Sequence, residues 1–257
     1  MLSHVVKEQY NSLSFFYNVL YAGFESSLLE EVFTTEHHEL LKHLRPNAEI
    51  LDASCGNGIQ STALAKKGYN ITACDISEEM IELTRKYAKK HGVDYPTIAI
   101  GWHDLPEYFD EKFDLIFCWG NSISHSLNEE EMIQTLKAFY SVIKPGGTLV
   151  VETRNWDQLI RNKTRFETLK LRIYNGKMYI PFYIWNLNGF NNPANVEIIF
   201  TELKDNNETK CCDFKLDFTP FEHKDLVNRL EKVGFSIYDD NFQDAKDHYY
   251  IVAKKYN

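Results

Sequence analysis

The sequence predicts an α/β protein: a doubly wound, mostly parallel seven-stranded sheet, preceded by helices and carrying an antiparallel β cap inserted after its fifth strand. Three observations predict it. Between residues 50 and 152 short apolar runs alternate with helical stretches, the pattern of a parallel sheet covered on both faces. The first of these runs ends in a glycine-rich turn, Asp52-Ala53-Ser54-Cys55-Gly56-Asn57-Gly58, at the start of a helix. From 160 to 218 the alternation gives way to strand-like stretches and turn signals with little helical periodicity.

Each element has its own signal. Tyr10, Leu13, Phe16, Tyr17, Leu20 and Tyr21 recur at three- and four-residue spacings and form one apolar-aromatic helix stripe. A second helix is expected over 25–44, ending before Pro46. The first strand is 50–53, followed by a helix over 58–67 that Gly68 closes; the second strand is 70–74. Ser77 is the expected N-cap of a helix reaching about 91, with Glu78 and Glu79 in the first turn where they suit the helix dipole. Strands follow at 97–100 and 113–118, then a helix at 129–143. Lys144-Pro145-Gly146-Gly147 reads as a tight turn into the fifth strand, 148–152. In the cap, Tyr174-Asn175-Gly176-Lys177 is a hairpin turn. Asp205-Asn206-Asn207 separates strands at 196–203 and 210–218. A helix at 221–233, capped by Gly234, leads to the last two strands at 235–238 and 249–254. The expected organisation is one domain: a helical arm (1–45), a core (46–158 and 219–257) and a cap (159–218) lying over the carboxyl ends of the main sheet.

Composition narrows the function. With 37 acids against 28 bases, the net charge of −9 and the lack of a Lys/Arg block argue against a nucleic-acid partner and for a small molecule. No apolar run approaches the ~20 residues that span a bilayer. The N-terminus has no secretory h-region, and five cysteines make a poor disulfide framework. A reduced, cytoplasmic setting is expected, with a homo-oligomer left open. His37-His38-Glu39-Leu40-Leu41-Lys42-His43 lacks the His-Glu-x-x-His spacing of a zinc helix, so no metal is expected.

The chemistry concentrates after the strands. Glycines at 56 and 58 let backbone approach a ligand, and Asp75 at the end of the second strand is placed to accept hydrogen bonds from a ribose diol. A dinucleotide fingerprint needs a third glycine at its sixth position, counting Gly56 as the first, where this chain has Ser61. Asp-x-x-x-Gly-x-Gly instead suits S-adenosylmethionine, whose product is S-adenosylhomocysteine. Ala53, Ser54, Gly56 and Gly58 offer backbone to the methionyl tail, and Asp52 is a candidate partner of its amino group. Ile76, Met80 and Trp102 are candidate adenine neighbours, and His103 is a cofactor candidate in the loop after the third strand that also reads as a surface residue; Tyr17 and Tyr21 are placed to close over the site.

The stretch 50–58 resembles motif I of class I methyltransferases, a Rossmann-like family. Cys118-Trp119-Gly120-Asn121-Ser122 through His125, and Arg154-Asn155-Trp156-Asp157, resemble the glycine/sarcosine N-methyltransferase pattern. The resemblance covers roughly 48–160. It implies methyl transfer to a small amine such as glycine or sarcosine. Cys118, Trp119 and Gly120 are expected at the cofactor because they leave the carboxyl end of the fourth strand. The resemblance also implies that Arg154 clamps the acceptor's carboxylate and Asn121 assists; transfer to a neutral amine needs no general base, and His125 is only a candidate for one. Guanidinium geometry independently suits bidentate carboxylate recognition. The family's arm arginine is missing from Thr34-Thr35-Glu36-His37-His38-Glu39. A methyltransferase for another metabolite, acting on oxygen or nitrogen, and a non-catalytic regulator that binds an adenosine cofactor are the rival readings.

Overall fold

The computed structural model describes residues 2–22, 38–42, 44–45, 47–204 and 208–256. Helix α1 (Leu2–Tyr21) and the short α2 (His38–Lys42) precede the main sheet. Its seven strands are β1 (Glu49–Asp52), β2 (Asn70–Asp75), β3 (Thr97–Ala99), β4 (Phe113–Cys118), β5 (Ile143–Arg154), β11 (Phe235–Asp240) and β12 (His248–Lys255). They lie in the order β11-β12-β5-β4-β1-β2-β3. The five strands from β5 to β3 are parallel, and β12 runs antiparallel to both β5 and β11. The chain reverses its direction of travel across the sheet between β1 and β4, the switch point at which α/β sheets open a crevice.

The central strands are apolar on both faces because both faces are covered. Side chains alternate across a strand. Ile50, Leu115 and Val150 therefore join the core under α3 (Ile59–Lys66) and α4 (Glu78–Lys90), while Leu51, Ile116 and Leu149 join the opposite core. That second core takes in α6 (Glu129–Val142) through Leu136 and Phe139, and α8 (His223–Val233) through Leu226 and Leu230. α4 starts where the sequence says it should: the Ser77 hydroxyl accepts from the Met80 N–H at 3.2 Å.

The cap is an antiparallel sheet of β6 (Phe166–Thr168), β7 (Arg172–Tyr174), β8 (Lys177–Asn186), β9 (Ala194–Leu203) and β10 (Thr209–Phe218). Asn175 and Gly176 both take positive φ, 50° and 74°, as a type I′ hairpin requires. The inner face of the cap, with Tyr179, Trp185, Phe200 and Phe218, merges with Leu13 and Phe16 of α1 in one core.

Some elements differ from expectation. Strand β5 begins at Ile143, and the Pro-Gly-Gly stretch is absorbed as a register shift between the pairs Phe113–Ile143 and Leu115–Thr148. Gly58 is the left-handed N-cap of α3 rather than its first helical residue. α8 starts at His223, and Phe221 is wholly buried ahead of it. Helices α5 (Leu105–Tyr108) and α7 (Trp156–Arg161) had no periodic signal because each spans under two turns. Most of the helix expected over 25–44, the stretch 34–37 that lacks the family's arginine, and the turn at 205–207 lie outside the described residues.

Candidate functional site

The loops leaving β1, β2, β3 and β4 and the inner face of α1 enclose a cavity of about 570 Å³, within the ~300–1,000 Å³ usual for small-molecule sites. Tyr17, Ala53, Ser54, Gly56, Asp75, Ile76, Trp102, His103 and His125 stand on its wall, together with Tyr10 and Ser126.

Asp75 closes β2 with its carboxylate held from below. Oδ1 accepts from the Ser77 N–H and Oδ2 from the Gly56 N–H, each at 3.0 Å. Burial pushes its pKa up to about 6, although these backbone donors pull the other way. Ser54 stitches two loops together: its hydroxyl donates to the Trp119 carbonyl and accepts from the Trp119 N–H, both at 3.0 Å. Trp102 reaches back to donate its indole N–H to the Ala53 carbonyl at 2.6 Å, and His103 Nε2 lies 3.2 Å from the Thr135 hydroxyl.

The glycine turn depends on a second carboxylate. Asp52 is 2% exposed; its Oδ2 accepts from the Ser61 hydroxyl at 2.6 Å and its Oδ1 from the Ser54 N–H at 3.3 Å. Burial raises its pKa to about 6, with those two bonds opposing. The serine that breaks the dinucleotide pattern is therefore the residue that anchors Asp52. Gly56 has φ +53°, and a Cβ there would sit 3.1 Å from the Tyr17 hydroxyl. Gly58 has φ +81°, and its missing Cβ would stand 2.9 Å from the Thr84 Cα. Gly58 thus permits the close crossing of α3 and α4 and lies off the cavity wall.

α1 is fastened over the opening. Lys7 pairs with Glu78 at 2.6 Å, the Ser77 hydroxyl donates to Asn11 at 2.6 Å, and Gln9 donates to Asp217 on β10 at 2.8 Å. Tyr10, on the same helix face as Tyr17, lies 2.8 Å from His125 Nε2. His125 Nδ1 is 2.7 Å from the Asp217 carbonyl, so Nδ1 carries the proton and donates, and Nε2 accepts from the Tyr10 hydroxyl. The ring stacks on Phe218 at 4.5 Å. Burial drives its pKa down to about 4, against the pull of the Asp217 carbonyl. Its free lone pair is already engaged, so His125 acts as a neutral strut between α1 and the cap.

After β4, Gly120 and Asn121 both take positive φ, 71° and 65°. This turns their N–H groups onto Glu152 Oε2 at 2.7 and 3.2 Å. The Asn121 Oδ1 accepts from the Thr153 hydroxyl at 2.8 Å and from the Arg154 N–H at 3.1 Å. Asn121 thereby positions the end of β5. Arg154 leaves that end toward the cap, its guanidinium carbon 4.9 Å from the Trp185 ring centre and 5.6 Å from that of Tyr183. One nitrogen contacts Glu167 of β6 at 3.4 Å. Asp157 instead accepts from the His223 N–H at 2.9 Å.

The predicted residues separate into groups. Nine stand on the cavity wall, as given above. Asp52, Gly58, Cys118, Trp119, Gly120, Asn121 and Arg154 are not on that wall. Met80 is fully buried at the start of α4. Tyr21 is next to Tyr17, with their hydroxyls 3.4 Å apart, and burial raises its pKa, as the Glu152 charge does to a lesser degree while the Tyr17 hydrogen bond and the Arg154 charge oppose it. Tyr10, Ser61, Glu152 and Glu167 carry contacts that the sequence reading did not assign. Tyr10 could have been found from its seven-residue spacing to Tyr17. The other three have no local signal.

Residues 50–147 match the family model described as methyltransferase domain. Over 116 residues the chain is 34% identical to the glycine/sarcosine N-methyltransferase of Halorhodospira halochloris, covering 45% of this chain and 43% of that protein. It is 36% identical over 111 residues to a ubiquinone biosynthesis O-methyltransferase of Actinobacillus pleuropneumoniae, covering 42% of this chain and 46% of that one. The chain therefore aligns with less than half the length of these curated relatives. A crystal structure of an S-adenosylmethionine-dependent methyltransferase from Clostridium acetobutylicum superposes with TM-score 0.74 at 18% identity, over 96% of this chain and 99% of that one, which establishes the shared fold. Among the described residues no helix is long and apolar enough to cross a membrane.

Proposed function

We propose that this chain, whose residues 50–147 form a methyltransferase domain of the S-adenosylmethionine-dependent class, methylates the nitrogen of a small amino acid of the glycine or sarcosine type. The wall of the cavity suits the cofactor. Asp75 presents a carboxylate already fixed by two backbone donors, and the buried Ser126 hydroxyl on the wall has no hydrogen-bond partner. The nearest lysine on the wall, Lys7, is paired with Glu78, which favours a cationic sulfonium over a pyrophosphate. Asp75 would hold the ribose, Ile76 and Trp102 would flank the base, and the backbone of 53–56 would face the amino-acid tail. When bound, the cofactor supplies an electrophilic methyl group.

The chain's own task is then to orient a neutral amine and exclude water, and orientation alone can supply ~7–11 kcal/mol of a barrier. Arg154 carries the acceptor reading. It extends past a central strand and lies against two adjoining aromatic rings, its side chain 15% exposed, and its single contact to Glu167 leaves the rest of its five N–H donors without an acceptor among the described residues. A carboxylate on the acceptor would take those donors in bidentate fashion. Asn121 and Glu152 hold the strand end that aims it, and Tyr17 and Tyr21 cover the approach from α1. The match to an O-methyltransferase motivates a second reading, transfer to an oxygen acceptor.

One experiment separates these readings. The protein is incubated with S-adenosylmethionine and a panel of glycine, sarcosine, simple amines and phenols, with wild type and Arg154→Lys compared by mass spectrometry for added methyl groups. The proposal expects methylated glycine or sarcosine, with kcat/KM reduced at least tenfold in Arg154→Lys and cofactor affinity little changed. Turnover confined to phenols or carboxyl-free amines would overturn it.

A further inference from the structure

We infer that Glu167 sets acceptor specificity by occupying the acceptor's anion site: its carboxylate holds Arg154 until a substrate carboxylate displaces it. The inference rests on the reading of Arg154 as the acceptor anchor. Arg154 comes from the core strand β5 and Glu167 from the cap strand β6, so their contact bridges the two sheets. Glu167 does not move freely. The same Oε2 that faces Arg154 accepts from the Trp185 indole N–H at 3.1 Å, and Trp185 is also the ring beneath the guanidinium. Guanidinium, carboxylate and indole form a closed triangle.

The geometry of the pair is that of a placeholder. Its one N–O separation is 3.4 Å, well beyond the ~2.7–2.9 Å of a charge-assisted bond, and it is single where guanidinium can bind a carboxylate in two parallel bonds. Arg229, buried for structural reasons, gives the contrast: it donates to Asn191 at 2.8 Å and also reaches Met132. Arg154 is held but not saturated. A ligand with a planar carboxylate gains two short bonds for one long one. A carboxyl-free amine or a sugar hydroxyl offers nothing that outcompetes Glu167 and meets a neutral pair. The subsite therefore selects small amines that carry a carboxylate. With Glu167 34% and Arg154 15% exposed at their side chains, the pair is worth about 0.4–1 kcal/mol, the upper part of the range of a solvent-screened ion pair. Its removal then tightens carboxylate binding roughly two- to fivefold.

Calorimetric titration of glycine, sarcosine and acetate into the protein saturated with S-adenosylhomocysteine tests this without requiring turnover. Three proteins are compared: wild type, Glu167→Gln and Arg154→Lys. Glutamine keeps an oxygen for the Trp185 N–H while removing the charge. The expected result is a roughly two- to fivefold lower Kd for all three ligands in Glu167→Gln, and Kd raised more than about tenfold in Arg154→Lys. If Arg154→Lys weakens binding while Glu167→Gln leaves it unchanged or weaker, Glu167 is only a support for Arg154 and the inference fails alone. If Arg154→Lys leaves carboxylate binding intact, the anchor reading fails and takes the inference with it.

Discussion

Ser61→Ala probes the support of the glycine turn. Ser61 is fully buried and Asp52 is 2% exposed, and the Ser61 hydroxyl donates to Asp52 Oδ2 at 2.6 Å. Without it the carboxylate retains only the Ser54 N–H, at 3.3 Å. A hydrogen bond to a charged group contributes ~1.5–3 kcal/mol, and one between neutral groups ~0.5–1.5 kcal/mol. Burial raises the Asp52 pKa from 3.8 to about 6. Its stabilising contribution is therefore greatest at low pH and is lost as pH rises through 6, where an ionised, buried carboxylate leans hardest on Ser61. The variant should lose ~1.5–3 kcal/mol at pH 8 and only ~0.5–1.5 kcal/mol at pH 5. For a chain of this length that is roughly 3–12 °C in Tm at the higher pH. Urea unfolding followed by circular dichroism at the two pH values measures both losses. A deficit below about 0.5 kcal/mol at pH 8, or the same deficit at both, would refute the claim that Ser61 stabilises an ionised Asp52.

Gly58→Ala should cost about 2–5 kcal/mol, combining the left-handed φ with overpacking against the Thr84 backbone. Gly68→Ala is its control: φ is +87° but nothing lies within 4 Å, so only about 1–2 kcal/mol is expected, and equal losses in the two variants would remove the packing argument. His125, pushed down to about 4 by burial, binds its proton more weakly folded than unfolded. Stability should therefore fall as pH drops from about 6.5 to about 4, by up to ~3 kcal/mol, and that component should vanish in His125→Gln. A ring that titrates near pH 6.5 by NMR would contradict this.

How much could be read from sequence follows from how local each signal is. The strands of the main sheet announce themselves by continuous apolar runs, since Ile50, Leu51, Leu115 and Ile116 are buried on both faces. The Asn175-Gly176 hairpin and the Ser77 cap are two- to four-residue motifs and are equally plain. Asp75 and Gly56 lie on the cavity wall because a strand end and a glycine turn have fixed positions in such a sheet. Partnerships across the fold were not legible. Glu152 meets Gly120 and Asn121 across neighbouring strands, Tyr10 meets His125 from an arm more than a hundred positions earlier, and Glu167 comes to Arg154 on a three-residue strand too short to show periodicity. Gly58 shows a subtler limit: the sequence marks a residue that must lack a side chain, but only the packing of α4 shows that Thr84, not a ligand, is the reason.

On the proposed function, an adenosine cofactor sits against the Asp75 carboxylate at the carboxyl ends of β1, β2 and β4. Titrating S-adenosylhomocysteine into wild type and Asp75→Asn by calorimetry at pH 7.5 tests it most directly, because replacing one carboxylate oxygen by an amide of the same size removes a charge-assisted acceptor worth ~1.5–3 kcal/mol. Saturable binding to the wild type and a roughly 10- to 150-fold weaker Kd in the variant are expected. Equal affinity in the two proteins, or no heat with the wild type, would contradict it.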